Sequence, residues 1–178
     1  MLNIYLTNLG KYNEGELIGE WVSLPATQDQ LERVLYRIGI SSEPDENGVF
    51  YEEYFITDYE TNVDGLEVGE YDNLDDLNEI ASQIEDLTDS DLIALQAFLE
   101  EGYDFNDALE AVQDGEYTIY YDCHDMTDVA YEVVEQCDYL HGIPENIANY
   151  FDYEAFGRDL SFEGTFIFIG SDCIEIHR

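Results

Sequence analysis

Carboxylates are the most abundant groups in this chain that could do chemistry, since Asp and Glu together number 43. Paired carboxylates can act as general acid and base or ligate divalent cations. They are so frequent here that no single pair stands out for catalysis. Residues 60–65 resemble the start of a calcium loop, but Glu60 and Tyr71 occupy the first and last positions, where Asp and Glu are required. We expect only weak surface association with Ca²⁺ or Mg²⁺.

Histidines and cysteines are too few and too scattered to form a recognisable site. The histidines are His124, His141 and His177, and the cysteines are Cys123, Cys137 and Cys173. No HExxH or CxxC spacing occurs, and GxSxG, Walker and GxGxxG motifs are absent. The odd cysteine count fits a reducing cytosol better than a disulfide scaffold. The sequence therefore predicts no catalytic residue, no metal site, no cofactor and no enzymatic activity.

The charge distribution is the most informative feature. Residues 38–157 contain no Lys or Arg, and the five bases of the whole chain leave a formal net charge of -38. Carboxylates are tolerated mainly in contact with water, so most of them must lie on the surface. Such a surface repels nucleic-acid backbones and attracts proteins built to hold them. We therefore expect no binding to nucleic acid.

The remaining composition predicts a folded protein rather than an acidic tail. Hydrophobic residues make up 45% of the chain and aromatic residues 14%, with only three prolines. The first residues lack the basic and apolar regions of a secretory signal, and no apolar run approaches the ~20 residues of a membrane span. We expect a cytoplasmic protein without membrane association.

Periodicity and capping signals predict an α+β fold of three small domains, with boundaries at 1–63, 64–115 and 116–178. The first is mixed α/β, with strands at 2–6, 17–24 and 49–57. Thr27 and Gln30 form a capping box that opens a helix to Arg37, and Asp29 and Arg33 are placed to pair one turn apart. Residues 11–15 are interpreted as a turn, residues 58–71 as a connector, and Trp21 as a core residue.

The middle domain is predicted to be helical and the last domain mixed α/β. Three middle helices begin at the caps Asn73, Thr88 and Asp104, and the second and third end at Gly102 and Gly115. In the last domain, strands are predicted at 117–122, 165–169 and 173–176. Helices are predicted at 127–140, after Pro144 and at 152–160. Glu154 and Arg158 have the favourable order for an ion pair within the last helix.

Helical periodicity gathers acids on faces opposite the apolar stripes. Asp75, Glu79 and Asp86 share one such face, while Asp104, Asp107, Glu110 and Asp114 share another. Successive members lie about 4.5 to 10 Å apart along the axis, whereas duplex DNA carries a charge per about 1.7 Å. One helix cannot imitate DNA, but several side by side come closer. The predicted partner-binding surface comprises Asp75, Asp76, Glu79, Glu85, Asp86, Asp104, Asp107, Glu110, Asp114, Asp122, Asp125, Asp128, Glu132 and Glu135.

Two stretches give the chain a resemblance to a known family. The first runs from Ile4 to Trp21 and contains Lys11, Tyr12, Asn13, Gly15, Leu17 and Gly19. The second, residues 144–160, reads PENIANYFDYEAFGRDL, and the segments YFITDYE at 54–60 and YDNLDDLN at 71–78 also fit. Together they resemble the ArdA antirestriction family over residues 4–165, and the second stretch is similar to its antirestriction motif.

The resemblance implies an antirestriction protein encoded by a mobile genetic element such as a conjugative transposon. Members of this family are known as elongated dimeric DNA mimics with three small domains per protomer. This chain would then occupy the DNA-binding cleft of a Type I restriction–modification enzyme, at its methyltransferase core. Restriction of incoming DNA would be blocked, and modification with it.

The motif also has a composition that predicts an interface between protomers. Aromatic residues are enriched at interface cores, and this segment holds more of them than a small domain readily buries. The predicted homodimer interface comprises Tyr150, Phe151, Asp152, Tyr153, Phe156, Arg158 and Asp159.

Two other functions remain open on the sequence alone. An acidic chaperone or scaffold would bind many basic nucleic-acid-binding proteins loosely, whereas a mimic competes with DNA at defined stoichiometry. A halophilic enzyme would also be rich in acids, but it would have a pocket with convergent polar groups and would unfold at low salt.

Overall fold

The computed structural model describes residues 1–45 and 47–177, which form eight helices and two small antiparallel sheets. The predicted α+β class is confirmed. The chain divides into two compact units, Met1–Leu87 and Thr88–Arg178. The predicted three-domain arrangement is not confirmed, and the first of the three predicted middle helices belongs to a different unit from the other two.

The first unit is a three-stranded sheet with helices. Its elements are β1 (Leu2–Asn8), α1 (Leu9–Asn13), β2 (Gly19–Leu24), α2 (Gln28–Arg37), β3 (Tyr54–Thr61) and α3 (Leu74–Glu85). The strands are antiparallel in the order β2-β1-β3. Leu2, Ile4 and Leu6 alternate along β1 and are buried in the core, because successive strand residues point to opposite faces.

In this unit, the predicted helix cap and ion pair agree with the structure more closely than the predicted boundaries of the elements. The Thr27–Gln30 capping box is present, and Arg33 donates to the Asp29 carboxylate at 2.7 Å. The predicted turn at 11–15 is partly wrong, because α1 covers its first three residues. The strand predicted at 49–57 and the connector predicted at 58–71 are partly wrong too. The observed strand β3 starts later, at Tyr54, and continues into the connector as far as Thr61.

Trp21 is not a core residue, which corrects the prediction. Its side chain is 43% exposed, whereas Val22 and Leu24 on the same strand are buried. Strand alternation explains this, because burying Val22 and Leu24 turns Trp21 to the opposite face.

The second unit packs helices against its own three-stranded sheet. Its elements are α4 (Asp89–Glu101), α5 (Phe105–Asp114), β4 (Tyr117–Tyr120), α6 (Met126–Gln136), α7 (Glu145–Ala148), α8 (Tyr153–Glu163), β5 (Thr165–Ile169) and β6 (Asp172–Ile176). The antiparallel strand order is β4-β6-β5. Residues 94–99 of α4 are all buried, and α4 contacts α5 and all three strands. This helix forms the centre of the unit.

The ends of two helices and one hairpin in this unit agree with the predictions, whereas the end of α6 does not. Gly102 and Gly115 end α4 and α5 with φ of 100° and 72°, the left-handed conformation that glycine adopts without strain. The hairpin of β5 and β6 is also present. The helix predicted at 127–140 stops earlier, at Gln136, and Asp138 follows with a φ of 52°.

Helices α6 and α8 cross at very short range through Gly157. A Cβ atom at this position would contact the Met126 carbonyl oxygen and lie 2.7 Å from its carbonyl carbon. No side chain fits there without movement of the backbone. Gly157 therefore sets the distance between the antirestriction-like motif and α6.

Candidate functional site

Helix α3 presents an acidic face on the first unit. Leu74, Leu77, Ala81 and Ile84 are buried, so the opposite side of the helix faces solvent. Asp75, Glu79 and Asp86 lie on that side, and all five predicted residues of this helix are exposed, namely Asp75, Asp76, Glu79, Glu85 and Asp86. The Asn73 side chain caps the helix by accepting from the Asp75 amide at 2.8 Å. Asp75 and Asp76 also lie at the positive end of the helix dipole, which stabilises their charge.

Helix α5 presents a second acidic face, on the second unit. Asp104 is its N-cap, and its carboxylate accepts from the amides of Asn106 and Asp107 at 3.0 Å each. Asp107, Glu110 and Asp114 follow at helical spacing and are exposed. Within residues 1–45 and 47–177 these three carboxylates have no hydrogen bond or ion pair. Their charge is therefore directed at solvent.

The acids around α6 combine surface charge with structural roles. Asp125 caps the helix, and hydrogen bonds from the amides of Asp128 and Thr127 lower the pKa of its carboxyl. Asp128 is half-buried and accepts from the His124 amide at 2.9 Å. Glu132 is half-buried as well, whereas Asp122 and Glu135 are exposed.

The structure thus places the predicted acids on three helices and at their ends, with Asp122 in the turn before α6. The α5 and α6 sets share the second unit, and the α3 set belongs to the first. These three faces are called the acidic helix faces below.

Every Lys and Arg among residues 1–45 and 47–177 is ion-paired with a carboxylate. The pairs are Lys11 with Glu14 and Glu16, Arg33 with Asp29, Arg37 with Glu20, and Arg158 with Asp159. Arg37 donates to both oxygens of Glu20, which lowers the pKa of that carboxyl. The predicted pairing of Arg158 with Glu154 is wrong, because the guanidinium turns instead to Asp159 at 3.1 Å. None of these cations forms an ion pair with a predicted acid of α3, α5 or α6.

The antirestriction-like motif contains an aromatic cluster that joins α8 to α6. The Tyr153 ring stacks on Tyr131 with centroids 3.7 Å apart, and Phe151 packs edge-on against Tyr153 at 4.8 Å. Phe156 continues the cluster at 5.6 Å from Phe151 and 6.1 Å from Tyr139. Phe151, Tyr153 and Phe156 are half-buried within their own unit.

Four exposed apolar side chains lie around α7 in the sequence. They are Tyr139, at the edge of the aromatic cluster, and Ile143, Ile147 and Tyr150, and they are exposed by 57%, 45%, 56% and 86% in that order. This set is called the α7 patch below. Tyr150 is among the predicted interface residues, whereas the two isoleucines and Tyr131 are not. The available signal was the pair Ile143 and Ile147, four residues apart around the short helix α7.

The buried cysteines contribute to packing, and their surroundings do not activate them for chemistry. Cys123 and Cys173 are buried among Tyr120 and Val129, and burial raises the pKa of the Cys123 thiol to about 11 and of the Cys173 thiol to about 12. Both stay protonated at neutral pH, which makes them poor nucleophiles. Over residues 1–45 and 47–177, no group of three His, Cys, Asp or Glu side chains could hold a metal ion.

None of the helices formed by the described part of the chain has the length and apolar character that crossing a bilayer requires.

A family model described as Antirestriction protein (ArdA) matches residues 4–175, nearly the whole chain. The chain belongs to the ArdA antirestriction family. Comparison with curated proteins finds no significant match. The family match confirms the resemblance seen in the sequence motifs. Membership of the family implies an antirestriction function directed at restriction enzymes. The ArdA family is one of inhibitor proteins and is not known as an enzyme family.

Proposed function

We propose that this ArdA-family protein is an acidic DNA mimic that occupies the DNA-binding cleft of Type I restriction–modification enzymes. It thereby blocks both restriction and modification of incoming mobile DNA. The observation that carries the proposal is the uncompensated charge of the acidic helix faces, from which every described Lys and Arg is diverted into an ion pair elsewhere.

Helical placement makes these carboxylates effective substitutes for phosphates. On α5, Asp107, Glu110 and Asp114 follow each other at three and four residues, which is about 4.5 and 6 Å along the axis. The folded helix already fixes their backbone positions, so only side-chain freedom is lost on binding. Complementary charge also accelerates encounter with a basic cleft, and this effect weakens as salt is added.

We also propose that the protein acts as a cytoplasmic homodimer, formed through the α7 patch and the antirestriction-like motif. Exposed apolar patches mark interaction sites, and Tyr150 is among the most exposed aromatic side chains of the described chain. Asp152, Arg158 and Asp159 are exposed polar neighbours that suit an interface rim. A Tyr150→Asp change should convert the dimer to a folded monomer in sedimentation. An unaltered dimer would contradict this interface.

The three-domain division at 1–63, 64–115 and 116–178 stays a prediction alongside the two compact units. So does an origin in a mobile element such as a conjugative transposon, which accords with the antirestriction function of the family.

Competition with DNA tests the proposed mechanism. A Type I enzyme bound to a labelled duplex should release it at near-stoichiometric inhibitor, and added salt should weaken the inhibition. A triple variant, Asp107→Asn with Glu110→Gln and Asp114→Asn, should inhibit less. The matched control, Glu52→Gln with Glu60→Gln and Glu67→Gln, removes the same charge from exposed positions outside the acidic helix faces.

The two variants separate the mimic from a general polyanion. Equal loss in both would show that bulk charge alone matters, as expected of an acidic chaperone or scaffold for basic proteins. No displacement of DNA by the unmodified protein from any Type I enzyme would refute the mimic.

A further inference from the structure

An aromatic groove lies on the outer face of the sheet in the first unit. Its volume is about 540 Å³, which falls within the ~300–1,000 Å³ typical of ligand sites. The residues that define it here are Tyr5, Tyr12, Trp21, Phe55, Asp58 and Glu70. None of them belongs to the acidic helix faces or to the α7 patch.

The strand register builds this groove. Tyr5 on β1 is paired with Trp21 on β2 and with Asp58 on β3, so the three side chains form one row across the sheet. The opposite face carries the buried core residues. Gly19 makes room for the row, because a Cβ there would lie 2.6 Å from a ring carbon of Tyr5. The Tyr5 ring therefore extends over the neighbouring strand.

The aromatic rings are held in fixed orientations while parts of them stay open to solvent. Tyr5 and Trp21 meet edge to face with centroids 5.3 Å apart, and Tyr12 and Phe55 do so at 5.1 Å. Phe55 is buried beneath the groove, but Trp21 and Tyr12 are 43% and 47% exposed. A bound group would meet preformed aromatic surfaces, which reduces the ordering cost of binding.

The charge of the groove selects its occupant. Asp58 and Glu70 line it, and no basic residue of the described chain does. Lys11, which precedes Tyr12 in the chain, is held by Glu14 and Glu16 at 3.4 and 3.8 Å. Aromatic faces attract cations, and carboxylates at the rim add to that attraction. A guanidinium suits this combination best, since it stacks on aromatic rings and forms paired hydrogen bonds with carboxylates.

We propose that the aromatic groove binds an arginine side chain presented by a protein partner. This goes beyond the proposed mimicry, which needs only dispersed charge on the acidic helix faces. The groove instead provides one shaped anchoring site, of the kind that dominates the energy of many protein interfaces.

Trp21 supplies a direct probe of this site, because it is the only Trp in the chain. A Gly-Arg-Gly peptide with blocked ends, titrated into ¹⁵N-labelled protein, should shift the single indole N–H resonance with saturation in the millimolar range. The same peptide with citrulline keeps the shape but lacks the charge, and should leave the resonance nearly unchanged. Absence of a saturable shift with the arginine peptide, or equal shifts with both peptides, would overturn the proposal.

Matched variants distinguish the groove from general attraction to a polyanion. Asp58→Asn and Tyr12→Ala should each weaken peptide binding about fivefold. Asp76→Asn removes the same charge from the α3 face and should change it less than about twofold. Thermal unfolding confirms that each variant is folded. Equal weakening by Asp58→Asn and Asp76→Asn would refute a specific site.

Discussion

The close crossing of α6 and α8 predicts an unusual response to a Gly157→Ala substitution. In an open helix this change stabilises by about 1 kcal/mol, because alanine has the higher helix propensity. Here the new Cβ would lie 2.7 Å from the Met126 carbonyl carbon, whereas carbon atoms in contact are ~3.5–4.0 Å apart. The two helices must therefore separate by about 1 Å.

The size of the effect follows from these opposing contributions. Overpacking costs ~1–3 kcal/mol, and the upper end applies because the obstructing atoms belong to the backbone. Subtracting the propensity gain leaves a loss of about 2 kcal/mol. For a unit of this size, the melting temperature should fall by ~8–16 °C.

Thermal unfolding followed by circular dichroism measures this loss, and urea unfolding gives an independent value. Ser161→Ala is the matched control, since Ser161 is an exposed residue on the same helix. It should change stability by less than about 0.5 kcal/mol. A Gly157→Ala protein as stable as the original, or more stable, would refute the close crossing.

Three further predictions concern charge and thiol chemistry. Hydrogen bonds from Thr88 and then Tyr117 lower the pKa of Asp91, so its contribution to stability is present above the unfolded-state pKa of about 4. That contribution is lost as pH falls through the lower folded-state pKa. The difference in unfolding free energy between the original protein and Asp91→Asn should therefore become smaller in acid. A difference that does not change with pH would contradict the lowered pKa of Asp91. Raising salt from 0.01 to 0.15 M should increase the melting temperature, because screening removes about 0.2 kcal/mol from each carboxylate pair ~7 Å apart; a salt-independent melting curve would refute this. Iodoacetamide should alkylate the exposed Cys137 in the folded protein but not the buried Cys123, as peptide mass mapping would show, and equal labelling would exclude that burial.

Signals that depend on a few neighbouring residues were predictable from the sequence. The capping side chains of Thr27, Asn73, Thr88 and Asp104 all accept the expected amide hydrogen bonds. These interactions are local, so the pattern of residue types is sufficient to identify them. The acids of α5 also lie on the exposed face that periodicity predicts.

Features that depend on tertiary contacts were not predictable in the same way. The exposure of Trp21 follows from which face of the sheet meets the helices, and the short strand pattern does not settle that. The extent of β3 depends on its pairing with β1, because a strand persists where a partner satisfies its backbone. Similarly, Arg158 forms its ion pair with Asp159 rather than Glu154, on a surface where several carboxylates are available.

Some acids cap helices and others contribute only surface charge, and this difference has an evolutionary consequence. Asp104 and Asp125 hold helix ends and tolerate few replacements, whereas Glu110 and Asp114 contribute only charge at a helical spacing. A lost surface acid can be replaced by a gain one turn away with little effect on the total field. Homologous chains can therefore drift across the acidic helix faces while keeping their caps and Gly157. The scaffold residues should therefore be the more conserved ones among homologous chains, and selection on the acidic helix faces should act through the charge that each face carries.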